Sequence, residues 1–114
     1  MIAVLFELEP LPGKADAYFE TAAALRPLLD GVDGFLSIER FESLTTPGKY
    51  LSLSFWRNEA AVQAWRNLPP HRSAQARGRN DLFRDYRLRV AEVVRDYGLT
   101  HRTSAPDDSR ETHG

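Results

Sequence analysis

Between Tyr50 and Gln75 the spacing of apolar residues changes once and breaks once, and these two events leave few folds open to the chain. Leu51, Leu53 and Phe55 alternate with Tyr50, Ser52, Ser54 and Trp56, the period of two that belongs to a strand whose faces meet different surroundings. One of those faces is expected to meet helices. From Asn58 the period lengthens: Ala61, Val62, Trp65 and Leu68 follow at three- and four-residue steps, and Asn58 is suited to accept from the first free amides of a helix. Pro69 and Pro70 end that helix, because both lack an amide hydrogen and each pushes its predecessor out of the α region. Pro70 suits the first position of a second helix. On that helix His71, Ala74, Gln75, Gly78 and Leu82 share one face, and Gly78 admits a close neighbour.

The flanking segments complete the pattern. Ile2, Val4, Phe6 and Leu8 fall on one side of a first strand, with Ala3 and Leu5 on the other. Pro10 and Pro12-Gly13 turn the chain. Tyr18, Thr21, Ala22, Leu25, Leu28 and Leu29 then form a helical stripe over about 14–29, interrupted by Pro27 and closed by Gly31 as a C′ residue. A second strand, 35 to about 43, carries apolar residues on both parities, with a bulge near Glu39 as the alternative. Thr46-Pro47-Gly48 joins it to the Tyr50 strand as an antiparallel hairpin. A long last strand runs from Tyr86 to about Tyr97. The order β-α-β-β-α-β, with the second helix split, predicts an α+β fold of ferredoxin-like type: two helical layers' worth of chain on one face of a four-stranded antiparallel sheet. Helices cover only one face, yet several strands are apolar on both. The open face is therefore expected to be buried by a second copy in a two-fold dimer, and Trp56, on the parity opposite Leu53 and Phe55, is expected at a dimer or edge contact.

A chain of 114 residues supports one domain, here placed at 1–98, with 99–114 as a polar and mobile tail. The net charge of -1, with arginines and carboxylates interleaved, gives no electrostatic case for nucleic acid or an anionic membrane. The absence of cysteine excludes disulfides and thiol chemistry. The start, MIAVLFELEP, lacks a basic region before its apolar residues and reads as a strand, not a signal peptide. No apolar run approaches the roughly 20 residues needed to cross a bilayer, so a cytoplasmic location is the default. No spacing marks a metal site, a nucleophile–base pair or a phosphate loop.

The runs GFLSIERFES, YLSLSFW, NEAAVQAWRNLPPHRSAQARG and DYRLRVAEVVRDYG resemble antibiotic biosynthesis monooxygenase domains in their order and spacing, over roughly 1–98. The resemblance implies a dimeric α+β barrel with a cavity in each subunit between helices and sheet. One branch of the family oxidises phenols without metal, flavin or haem, and pairs the tryptophan of this helix with an asparagine four residues before it and a tyrosine six residues after. Trp65 matches, whereas those two places hold Ala61 and His71. A haem-degrading branch uses a histidine ten residues beyond the tryptophan and an asparagine in the first strand. Those places hold Gln75 and Phe6, neither of which replaces imidazole as an iron ligand.

The resemblance thus implies a cofactor-independent oxidation of a small aromatic, phenol- or quinol-like molecule by oxygen. Such chemistry asks for a base near neutrality in a dry, aromatic-lined cavity. His71 has the intrinsic basicity, and the positive end of a helix favours its neutral form; the competing reading is a surface or capping residue beside Pro70. Trp65 is a stacking surface or a core residue. Gln75 is a donor to a substrate carbonyl or a satisfied buried amide. Phe6, Gly78 and Tyr86 are assigned to substrate binding, with Tyr86 alternatively at the opposing subunit. The rival functions are a non-catalytic dimer that binds a small apolar molecule and, further off, a haem protein.

Overall fold

A computed structural model describes residues 1–77 and 81–108, with side chains 74–77 outside the description. Its elements run β1 (Ile2–Pro10), α1 (Ala15–Leu29), β2 (Phe35–Glu42), β3 (Tyr50–Trp56), α2 (Glu59–Arg66), α3 (Pro69–Arg77) and β4 (Phe83–Glu92). The strands form one antiparallel sheet in the order β2-β3-β1-β4. The ferredoxin-like α+β arrangement is therefore present. The sheet is open, with β2 and β4 at its edges among the described residues, and is not a closed barrel.

Register assigns every side chain to a face. Across the sheet Arg40, Ser52, Phe6 and Leu88 stand in one row, and Ile38, Ser54, Val4 and Val90 in the next. Ile2, Val4 and Ile38 pack with Leu25, Leu29, Val62 and Trp65, so these rows face the helices. Trp56 shares that inner face and is 2% exposed, between Phe35 (ring centroids 5.3 Å apart) and Trp65 (6.5 Å). Its expected place at a dimer or edge contact is thus corrected. An indole can be buried only if its N–H finds an acceptor, and Trp56 Nε1 donates to Ser54 Oγ at 2.9 Å. The inner face of β3 is the one with the serines, both of them buried, while Leu51, Leu53 and Phe55 lie on the outer face and are only half-buried.

Other boundaries moved for local reasons. The bulge lies between Phe35 and Ser37, not near Glu39, and lets Phe35 join the core cluster. Strand β4 starts at Phe83, three residues before Tyr86, and ends at Glu92 rather than near Tyr97. Its β1 partner begins at Ile2, opposite Glu92, and one further bond, from Val93 N–H to the Met1 carbonyl at 2.9 Å, follows the last ladder pair. Beyond it the chain folds on itself: Gly98 N–H donates to the His101 carbonyl at 2.7 Å, and Ser104 Oγ bonds the backbone of Asp96. Helix α1 continues past Pro27 to Leu29. Gly31 does not take a left-handed conformation; its N–H closes a turn on the Leu28 carbonyl at 3.2 Å.

Gly34 does require its missing side chain. Its φ is +93°, and a Cβ there would lie 2.7 Å from the Ala61 Cβ and 3.5 Å from the Arg57 Cβ. The close approach seats α2 on the start of β2. Gly34→Ala is expected to destabilise the domain by at least about 2 kcal/mol in urea unfolding, since backbone strain and overpacking act together. A second change, Ala61→Gly, is expected to recover only the steric part. Equal stability of Gly34→Ala and the parent chain would refute this account.

Candidate functional site

The break between α2 and α3 shapes the site. Asn58 caps α2 as its sequence predicts, its side-chain oxygen accepting from Ala61 N–H at 3.0 Å. Helix α2 buries Ala61, Val62 and Trp65 along one stripe. Asn67 ends it, and α3 starts at Pro69, one residue earlier than expected. Both prolines therefore occupy the first turn, where no intrahelical bond is lost. The short turn reverses the chain sharply enough to place the imidazole of His71 over the indole of Trp65, with ring centroids 4.6 Å apart and planes inclined at 34°.

His71 is half-buried, and its Nδ1 is buried with no hydrogen-bond partner among the described residues. Burial is the main reason that its pKa falls below the ordinary imidazole value of 6.5; a backbone hydrogen bond with Arg66 opposes the shift, and the Arg66 charge adds to it. The shift favours the uncharged ring at neutral pH. The unfolded chain takes up its proton near pH 6.5, before the folded chain does. His71 therefore contributes stability that is complete above pH 6.5 and is lost as pH falls through the lower folded value. In thermal unfolding, the parent chain is expected to lose more stability between pH 7.5 and pH 5 than His71→Phe, which keeps a stacked ring without the proton. Identical pH profiles would refute the assignment.

Phe6 and Tyr86 form a second pair. Their rings meet edge-on at 5.8 Å, and Phe83 joins both, at 5.6 Å from Phe6 and 6.0 Å from Tyr86. Leu8, Tyr18 and Leu82 lie buried in the same group. The two pairs occupy neighbouring stretches of one surface, since Val4, which packs with the Trp65 cluster, is two residues from Phe6 on the same face of β1. Opposite them on β4 stand Tyr86, Leu88 and Val90, 43%, 49% and 43% exposed although they point to the helical side. Helices cover β3 and β1 but leave this apolar wall open. The arrangement offers a base, an indole and an apolar floor on one side of the sheet.

Of the residues singled out from sequence, His71 and Trp65 are brought together, as are Phe6 and Tyr86. The Gln75 side chain and Gly78 lie outside the described residues. Leu88 and Val90 were missed, although their two-residue spacing from Tyr86 placed them on its face. Trp56, which backs Trp65, was missed because alternation alone does not say which parity faces inward. Among the described residues no group of three or more His, Asp or Glu side chains could hold a metal ion, and no helix is long and apolar enough to cross a membrane.

The chain belongs to a known class: the family model for antibiotic biosynthesis monooxygenase matches residues 1–77, and the chain is a member of that family. Among its relatives, the jasmonate monooxygenase ABM of Pyricularia oryzae is 46% identical over 94 residues, which are 82% of this chain but 44% of that protein. The chain thus spans less than half the length of that relative. The uncharacterised protein YqjZ of Bacillus subtilis is 32% identical over 78 residues, 68% of this chain and 67% of its own. Among solved structures, Rv0793 of Mycobacterium tuberculosis superposes with a TM-score of 0.75 at 21% identity, covering 85% of this chain and 98% of that one. The last likeness bears on the fold alone.

Proposed function

We propose that the chain is a monooxygenase that oxidises a small electron-rich aromatic molecule with oxygen on the helix-facing side of the sheet, beside the α2–α3 break. The observation that carries this reading is the buried, unpartnered Nδ1 of His71 held against Trp65. His71 takes the hydroxyl proton of a hydroxyarene, and the phenolate becomes rich enough in electrons to reduce oxygen. A carbon–oxygen bond forms at the ring and the oxygen–oxygen bond breaks. One atom stays as the quinone carbonyl and the other leaves as water, so the four electrons that oxygen accepts all come from the substrate. Trp65 and Phe6 supply planar contact, and Leu88 and Val90 supply apolar surface beside them.

The test is aerobic oxygen uptake by metal-free protein on a panel of hydroxynaphthalenes and hydroxyanthrones. Turnover of at least one, with one water and one quinone formed per oxygen consumed, supports the reading; no uptake on any member sinks it. Jasmonate belongs on the panel because of the 46% relative's name. Hydroxylating an unactivated carbon needs two further electrons, so turnover of jasmonate only with an added reductant would overturn the cofactor-free part.

The same reading includes a homodimer through the outer sheet face. Leu5, Leu51, Leu53 and Phe55 form its half-buried apolar centre, with Phe41 exposed beside them. Glu7, bridged to Lys49 at 3.6 Å and Arg89 at 3.5 Å, borders it. Leu53→Glu is expected to convert a dimer to monomers in sedimentation velocity, because a charge at the centre of the face cannot be buried unpaired. A parent chain that sediments as a monomer would defeat the dimer.

A further inference from the structure

Away from His71, the end of α1, the turn into β2 and the flank of α2 border a cavity of about 500 Å³ that is open to solvent. We propose that this cavity binds a small carboxylic acid with an unbranched apolar tail, the carboxylate on Arg57 and the tail against Leu28, Val32 and Leu68. Three observations fix the chemistry. The space exists because Ala60 and Ala64, one turn apart and exposed on α2, carry no more than a methyl group. Leu28, opposite them, is 40% exposed in spite of its size and presents apolar surface to the cavity. The Arg57 backbone is fixed by its N–H, which donates to the Gly34 carbonyl at 2.7 Å, and its side chain, 59% exposed, lines the cavity beside Asp33.

The Arg57 guanidinium has five donors, and its contact with Asp33 uses Nη2 at 3.2 Å. The Asp33 side chain is 91% exposed, and an ion pair so fully in water is weak. A ligand carboxylate can displace it and take two parallel bonds from the planar cation while its tail leaves water. The positive end of α2 at Asn58 opens on the same cavity and favours an anion over a cation. The volume falls within the roughly 300–1,000 Å³ of small-molecule sites. This site stands independently of the oxidation chemistry, since neither Trp65 nor His71 lines it.

The experiment is an amide chemical-shift titration of the full chain with hexanoate, octanoate, octanol and octylammonium. Saturable shifts are expected at Arg57, Ala60 and Ala64, with octanoate binding more tightly than hexanoate by about three- to fourfold per added methylene. Arg57→Gln is expected to weaken octanoate at least tenfold and to leave octanol unchanged. Ala64→Phe, at an exposed position that does not disturb the core, is expected to abolish both, whereas His71→Ala leaves both intact. The proposal is overturned if the shifts gather instead at Trp65 and Val90, if octylammonium binds as well as octanoate, if Arg57→Gln has no effect, or if no member of the series saturates.

Discussion

Replacing His71 by alanine is expected to lower oxygen uptake on a responsive hydroxyarene by about 10²- to 10⁴-fold, the usual worth of a positioned general base. The loss should fall on turnover more than on substrate binding, because Trp65, Phe6 and the β4 wall remain. A substrate supplied above its own phenol pKa, already ionised, should recover much of the rate in the mutant, since the missing step has been done in solution. The activity of the parent chain should fall with a midpoint below the ordinary imidazole value of 6.5, because burial lowers the pKa of the ring. Unchanged uptake in His71→Ala would remove the imidazole from the chemistry. Equal loss for ionised and neutral substrates would assign it a packing role under Trp65.

Trp56→Ala is expected to destabilise the domain by about 3–5 kcal/mol, among the larger single effects available to a chain of this size. The indole is almost wholly enclosed, and its removal leaves a hole between Phe35 and Trp65 and frees Ser54 Oγ. Trp56→Phe should cost less, keeping most of the volume while losing the 2.9 Å bond to Ser54. Urea unfolding of both variants gives the measurement. Had Trp56 been a dimer contact, alanine would weaken self-association and leave subunit stability nearly unchanged, so the two places of the residue predict opposite results. Because Trp56 backs Trp65, which carries the His71 ring, the alanine variant should also show a lower rate at temperatures where it remains folded.

Much of this was legible in the residues. The order of elements, the Asn58 cap and the split at Pro69-Pro70 follow from periodicity and backbone chemistry, which act locally, whereas the pairing of Trp65 with His71 was implied by the family resemblance. What was not legible was the sense of β3. Its more apolar side reads naturally as the inner one, but the helices close over Ser52, Ser54 and Trp56, and Leu51, Leu53 and Phe55 are left outside. A strand apolar on both parities does not say which side meets which neighbour; that depends on register with β1, a long-range fact. Likewise the end of β4 is set by where β1 begins, and no property of residues 93–97 announces it.

The sheet order has one more consequence. The two border strands each leave a row of main-chain donors and acceptors with no sheet neighbour within the subunit, and such rows invite stray chains to add on. These are the strands where charge is concentrated: Arg84, Asp85, Arg87, Arg89 and Glu92 stud β4, and Glu39, Arg40 and Glu42 stud β2, while interior β3 has none. Each ionised group would have to shed water for an indiscriminate strand to settle there. Erasing that charge would remove a barrier to strand addition at the borders of the sheet.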